Sequence, residues 1–95
     1  MYAELTTKEI KRLLRGGMYA WPSGYPMYFI TSDGGALSFE TVRKEWQCVC
    51  WSVRNRENDG WRVVAVDINH EDPDLYDDHT GERIESAYAE EETQP

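Results

Sequence analysis

Thr6-Thr7-Lys8-Glu9 has the Ser/Thr-x-x-Glu spacing of a capping box, and Ile10, Leu13 and Leu14 follow at the spacing of one helical face. Gly16-Gly17 ends the pattern, so a short first helix is predicted over residues 7–15, with Lys8, Lys11, Arg12 and Arg15 on its wet side. Two aromatic-rich stretches, residues 18–21 and 26–31, flank Pro22-Ser23-Gly24-Tyr25 and read as a hairpin. Ser32-Asp33-Gly34-Gly35 is the next turn, leading to a short strand at residues 36–38 and a three-stranded antiparallel meander. From Phe39 to Arg54 the period changes: Phe39, Val42, Trp46, Val49, Cys50 and Val53 fall within about 80° on a helical wheel. The pattern predicts one main core helix, N-capped by Ser38 and broken at residues 55–60.

Trp61 to Ile68, W-R-V-V-A-V-D-I, is rich in β-branched residues and apolar on both faces, which predicts a central strand. Beyond it the chain turns polar. His70 to Asp74 reads as a turn, Leu75-Tyr76 as a brief apolar anchor, residues 77–82 as a tight loop around Gly81, and Arg83-Ile84 as a returning strand. The pattern therefore predicts an α+β domain over residues 1–88, a small antiparallel sheet packed against one main helix with a short N-terminal helix, followed by a disordered acidic tail at 89–95. Four Trp, six Tyr and two Phe supply enough ring surface for a core without disulfides. Cys48 and Cys50 are two residues apart on the predicted helix, about 200° around it, which argues against a mutual disulfide or a shared metal. Both are expected to be reduced, Cys50 in the core and Cys48 nearer the surface.

Charge changes this picture most. Residues 1–66 carry seven acids and nine Lys/Arg, whereas residues 67–95 carry eleven acids and one base, Arg83. Such asymmetry points to an acidic surface that repels nucleic acid and attracts basic protein surfaces. The candidate contacts are Asp67, Glu71, Asp72, Asp74, Asp77, Asp78, Glu82 and Glu85, with Trp21, Tyr25 and Tyr28 as secondary aromatic contacts. No long apolar run or basic-then-apolar leader is present, so the expected location is the cytoplasm, without membrane contact. The only His/carboxylate clusters, around His70 and His79, lie in polar turns, and no nucleophile or phosphate-loop motif accompanies them. A non-enzymatic protein without cofactor or small-molecule substrate is expected.

Asp77-Asp78-His79-Thr80-Gly81-Glu82-Arg83-Ile84 has the outline of a zinc knuckle in which Asp77 and Thr80 hold the ligand positions, and Ser38-Phe39-Glu40-Thr41 offers a second pair at the same spacing. Ser and Thr are poor zinc ligands. Trp21-Pro22-Ser23-Gly24-Tyr25-Pro26, Asp59-Gly60-Trp61-Arg62-Val63-Val64, Glu71-Asp72-Pro73-Asp74-Leu75-Tyr76 and His79 to Tyr88 resemble a group of short uncharacterised phage and mobile-element proteins. Some members of that group carry cysteines where this chain has Ser38, Thr41, Asp77 and Thr80, so the resemblance implies a metal-free relative of a zinc-ribbon-like group. With the acidic segment, it implies a phage-type inhibitor of a host defence complex in the host cytoplasm, anti-CRISPR-like, whose carboxylates mimic nucleic-acid phosphates. The partner expected is a basic surface of a host protein or nucleoprotein complex, with no direct nucleic-acid contact. The alternative is a degenerate zinc-ribbon adaptor that binds nucleic acid or polymerase through its basic helix and aromatics.

Overall fold

A computed structural model describes residues 4–19, 25–69 and 74–85. Residues 22–24 of the turn predicted at 22–25, Trp21, His70, Glu71, Asp72, residues 86–88 and the acidic tail lie outside the described residues. Helix α1, Thr7–Gly16, opens on the full capping box: the Thr6 hydroxyl accepts from the Glu9 N–H, and the Glu9 carboxylate accepts from the Thr6 N–H. Ile10 and Leu14 are buried beneath it, and Lys8, Lys11, Arg12 and Arg15 are exposed.

Strand β1, Met27–Thr31, turns through Ser32–Gly35 into β2, Ala36–Leu37. Gly34 takes φ 88°, a left-handed conformation that suits glycine, and the Asp33 carboxylate accepts from the Thr31 hydroxyl and the Gly35 N–H. These bonds hold the Asp33 carboxyl below the usual carboxylate range, the Thr31 hydroxyl contributing most. Strand β3, Val63–Ile68, pairs antiparallel with the other side of β1, giving the order β2-β1-β3. The central strand is thus β1, which corrects the expectation for residues 61–68. Apolar residues line both faces of β3, but only Val63 is fully buried. Part of the outer edge of β3 is covered by the N-terminal segment, where the Leu5 N–H donates to the Val64 carbonyl.

The expected single helix over 39–54 is two helices, α2, Phe39–Lys44, and α3, Trp46–Asn55, separated at Glu45 with φ −102° and ψ 32°. No Gly or Pro marks this break. It splits the apolar stripe: Phe39, Val42 and Val49 reach the core, whereas Trp46 and Cys50 are half-buried. Arg43 of α2 donates to the Leu14 carbonyl and ties α2 to the end of α1. The core gathers Ile10, Leu14, Phe29, Leu37, Phe39, Val42, Val49 and Val63, with Phe29 and Phe39 stacked at 4.4 Å between ring centroids. The result is an α+β fold, with a three-stranded antiparallel sheet and three helices among the described residues. None of the described helices is long and apolar enough to cross a membrane.

The described part of the acidic segment, Asp74 to Glu85, returns on itself as a small loop closed by a Tyr76–Arg83 bridge instead of a full strand. Three backbone bonds close it further, from Asp77 N–H to the Glu82 carbonyl, Gly81 N–H to the Asp77 carbonyl and Ile84 N–H to the Leu75 carbonyl. It docks on the sheet through buried Ile84, through Asp78 N–H donating to the Ala36 carbonyl, and through buried Asn69, whose amide donates to the Ile84 and Glu85 carbonyls.

Candidate functional site

Asp77 holds the C-terminal loop together and is not part of its outer surface. The residue is 2% exposed. One oxygen accepts from the Ser38 N–H at 2.8 Å, and the other accepts from the N–H groups of His79 at 2.7 Å and Thr80 at 3.0 Å. Burial pushes this carboxyl up, but bonds from the Thr41 hydroxyl and the Ser38, Thr80 and His79 backbone outweigh it and hold it below the usual range. Ser38 meanwhile caps α2, its hydroxyl accepting from the Thr41 N–H and meeting the Thr41 hydroxyl.

The four residues singled out by knuckle spacing, Ser38, Thr41, Asp77 and Thr80, therefore do converge, from the start of α2 and from the C-terminal loop. The side chains of Ser38, Thr41 and Asp77 are turned on one another, whereas Thr80 gives Asp77 its backbone N–H and its hydroxyl accepts from the Glu82 N–H. With both Asp77 oxygens engaged by N–H groups and three hydroxyl residues around them, this donor set does not fit zinc. Among the described residues no group of three or more His, Cys, Asp and Glu is arranged to hold a metal ion. A hydrogen-bonded carboxylate ties together the start of α2 and the C-terminal loop.

Burial removes Asp77 from the list of acids able to meet a partner: a carboxylate with its oxygens facing inward presents no charge outside. Asp67, Asp74, Asp78, Glu82 and Glu85 are exposed, and Glu71 and Asp72 lie outside the described residues. Several of the exposed acids are held in place. Glu85 accepts from the Tyr19 hydroxyl at 2.6 Å, and Asp67 accepts from the N–H of Ile68. Asp78 lies so close to the Gly35 Cα that a Cβ there would fall 1.9 Å from its carboxylate.

Two acids from outside the acidic segment, Asp33 and Asp59, join them. A cavity of about 240 Å³ is lined by Asp33, Asp59, Asp78, Trp61 and His79. Asp59 accepts from the buried Ser52 hydroxyl with both oxygens and from the Trp61 N–H, and the Trp61 and His79 rings lie 4.9 Å apart. Counting charge along the chain missed Asp33 and Asp59. The signal present was their setting in Asp33-Gly34-Gly35 and Asp59-Gly60, Gly-containing turns that hold a side chain at a fixed surface position.

The aromatic candidates are placed unevenly. Tyr25 and Tyr28 are half-buried, and Trp21 lies outside the described residues. The most exposed described tryptophan is Trp51 on α3, at 55%, which the periodicity of residues 39–53 passed over. Cys48 is exposed as expected, whereas Cys50 lines a surface groove beside Trp51 and is not a core residue.

The helical layer has the opposite charge. Lys8, Lys11, Arg12, Arg15, Arg43, Lys44 and Arg54 lie on α1, α2 and α3, against two acids within those helices, Glu9 and Glu40. The molecule thus presents ordered carboxylates around the C-terminal loop and the β-turns, and ordered cations on its helices. Comparison with protein-family models, curated proteins and solved structures found nothing that matches this chain.

Proposed function

We propose that this protein is a non-enzymatic interaction module that engages a basic macromolecular surface through ordered carboxylates, Asp67, Asp74, Asp78, Glu82 and Glu85 together with Asp33 and Asp59. The observation that carries this reading is the Asp77 node. It closes the C-terminal loop on itself and fastens it to α2, so the exposed acids on that loop stand at fixed positions before any partner arrives. Pre-ordered charges avoid the rotamer and backbone entropy that a flexible acidic tail gives up on docking. Fixed carboxylates suit a positively charged groove of the kind that tracks a nucleic-acid backbone. The resemblance to phage and mobile-element proteins supplies the proposed setting, inhibition of a host defence complex that has such a groove.

The test uses wild type and a variant with Asp67→Asn, Asp74→Asn, Asp78→Asn, Glu82→Gln and Glu85→Gln, both immobilised and exposed to purified nucleic-acid-binding complexes of the host. The expected result is a complex retained by wild type, released as salt rises, and bound at least about ten-fold more weakly by the neutralised variant. Removal of residues 89–95 should change the affinity little. Equal binding by the neutralised variant, with loss on Tyr25→Ala or Trp21→Ala, would move the working surface to the aromatics and end this reading.

A further inference from the structure

Two adjoining grooves on the helical layer share Trp46 as a common wall. The first, about 310 Å³, is lined by Lys11, Leu14, Arg15, Arg43 and Trp46. The second, about 360 Å³, runs on between Trp46 and Trp51 to Arg54. Among the described residues no carboxylate lines either groove, in a chain with eighteen acids. Among the described residues no carboxylate pairs with Lys11, Arg15, Arg43 or Arg54, whereas Arg62 meets Glu4 at 2.7 Å. Arg43 makes a bond to the Leu14 carbonyl, which leaves its charge uncompensated.

We propose that these grooves bind single-stranded nucleic acid, with bases stacked against Trp51 and Trp46 and phosphates along Lys11, Arg15, Arg43 and Arg54. The pattern of a cationic track interrupted by accessible rings is the one that sequence-tolerant single-strand binders use. Two features favour this occupant over other anions. The indoles wall a groove, which suits a planar base better than an acidic polypeptide, whose carboxylates need only the cations. The surface also lacks the exposed aliphatic side chains that an amphipathic helix sinks into a lipid interface. Self-association through this face would set the four cations against their own copies.

The chain's net charge of −8 does not forbid the contact. At physiological ionic strength charges beyond about 8 Å are largely screened, so the groove's own cations dominate at contact. The expectation of no direct nucleic-acid contact, drawn from net charge, gives way on this face to the local arrangement. This inference does not rest on the acidic-surface reading. Basic-complex capture and oligonucleotide binding report on different side chains, and either can fail alone.

The probe is a fluorescein-labelled oligothymidylate of about 15 nucleotides, near the upper site size of compact single-strand binders. Binding is followed by anisotropy and by quenching of tryptophan emission. Wild type should bind at low salt, with log K falling against log salt at a slope of about −3, the value for four phosphate contacts on a single strand. Trp51→Ala should weaken binding roughly ten- to a hundred-fold, the loss of one stacked base. Arg54→Gln should reduce the slope by about 0.7, and Lys8→Gln, outside both grooves, should leave affinity within about two-fold. Trp51 is more than half exposed, so its variant should keep the wild-type circular dichroism; Arg54→Gln tests the same groove without touching packing. No binding at low salt would overturn the proposal, as would unaltered binding by both Trp51→Ala and Arg54→Gln. So would polyglutamate or anionic phospholipid vesicles that bind these grooves as well as the oligonucleotide does.

Discussion

Replacing Asp77 by alanine takes the acceptor away from four donors at once: the N–H groups of Ser38, His79 and Thr80 and the hydroxyl of Thr41. His79 and Thr80 are exposed, and water can serve them; Thr41 is 3% exposed and Ser38 only half-exposed. A buried donor left unsatisfied costs about 1–3 kcal/mol; Thr41 forfeits that in full and half-exposed Ser38 forfeits part of it, which puts the loss at roughly 2–5 kcal/mol. Against the ~5–15 kcal/mol that holds a small domain, such a loss approaches unfolding. Asp77→Asn keeps one acceptor oxygen but turns an NH₂ toward a backbone N–H, and should cost about 1–3 kcal/mol.

The folded-state pKa of Asp77 lies below its unfolded value. Its ionised form therefore contributes stability that is present above about pH 4 and is lost as pH falls through the folded value. The neutral Asp77→Asn side chain has no such contribution. Urea midpoints of wild type and Asp77→Asn should thus differ most near neutral pH and converge as the solution is acidified through the lowered folded-state value of Asp77. Asp33, whose carboxyl is also held down, leaves a residual pH dependence in the variant. A gap that does not change with pH, or an Asp77→Asn midpoint equal to wild type at neutral pH, would refute the assignment of Asp77 as the tie between the C-terminal loop and α2.

Two further stability outcomes follow from the packing. Phe29→Ala, on the central strand and stacked on Phe39, should cost about 3–5 kcal/mol by denaturant titration, the range for a fully buried aromatic. Trp46→Ala removes a ring that is only partly buried and should cost about 1–3 kcal/mol, so a midpoint shift as large as that of Phe29→Ala would show that Trp46 is a core residue after all.

Local chemistry determined much of this protein from sequence alone. The Thr6 capping box, the Gly17 stop, the glycine turn after β1 and the Ser38 cap depend on neighbours within a few residues, so their spacing in the chain sets the outcome. The α+β class and the fully buried positions Phe39, Val42 and Val49 were legible for the same reason. Only the tertiary structure decided which strand is central. Residues 61–68 have the two-sided apolar composition of an inner strand, but β1 occupies the middle, and part of the outer edge of β3 is closed by Leu5 from the far end of the chain. The break at Glu45 likewise has no local breaker to announce it, and with it went the expectation of a single stripe carrying Trp46 and Cys50 into the core. Charge was legible as a count and not as a surface. Asp77 reads as one acid among eleven, yet its oxygens are taken by backbone N–H groups, one of them thirty-nine residues away, while Asp33 and Asp59 arrive from outside the acidic segment to stand beside Asp78. A hydrogen bond to a distant N–H leaves no periodic trace along the sequence, and so the division between acids that hold the fold and acids that face outward belongs to the tertiary structure.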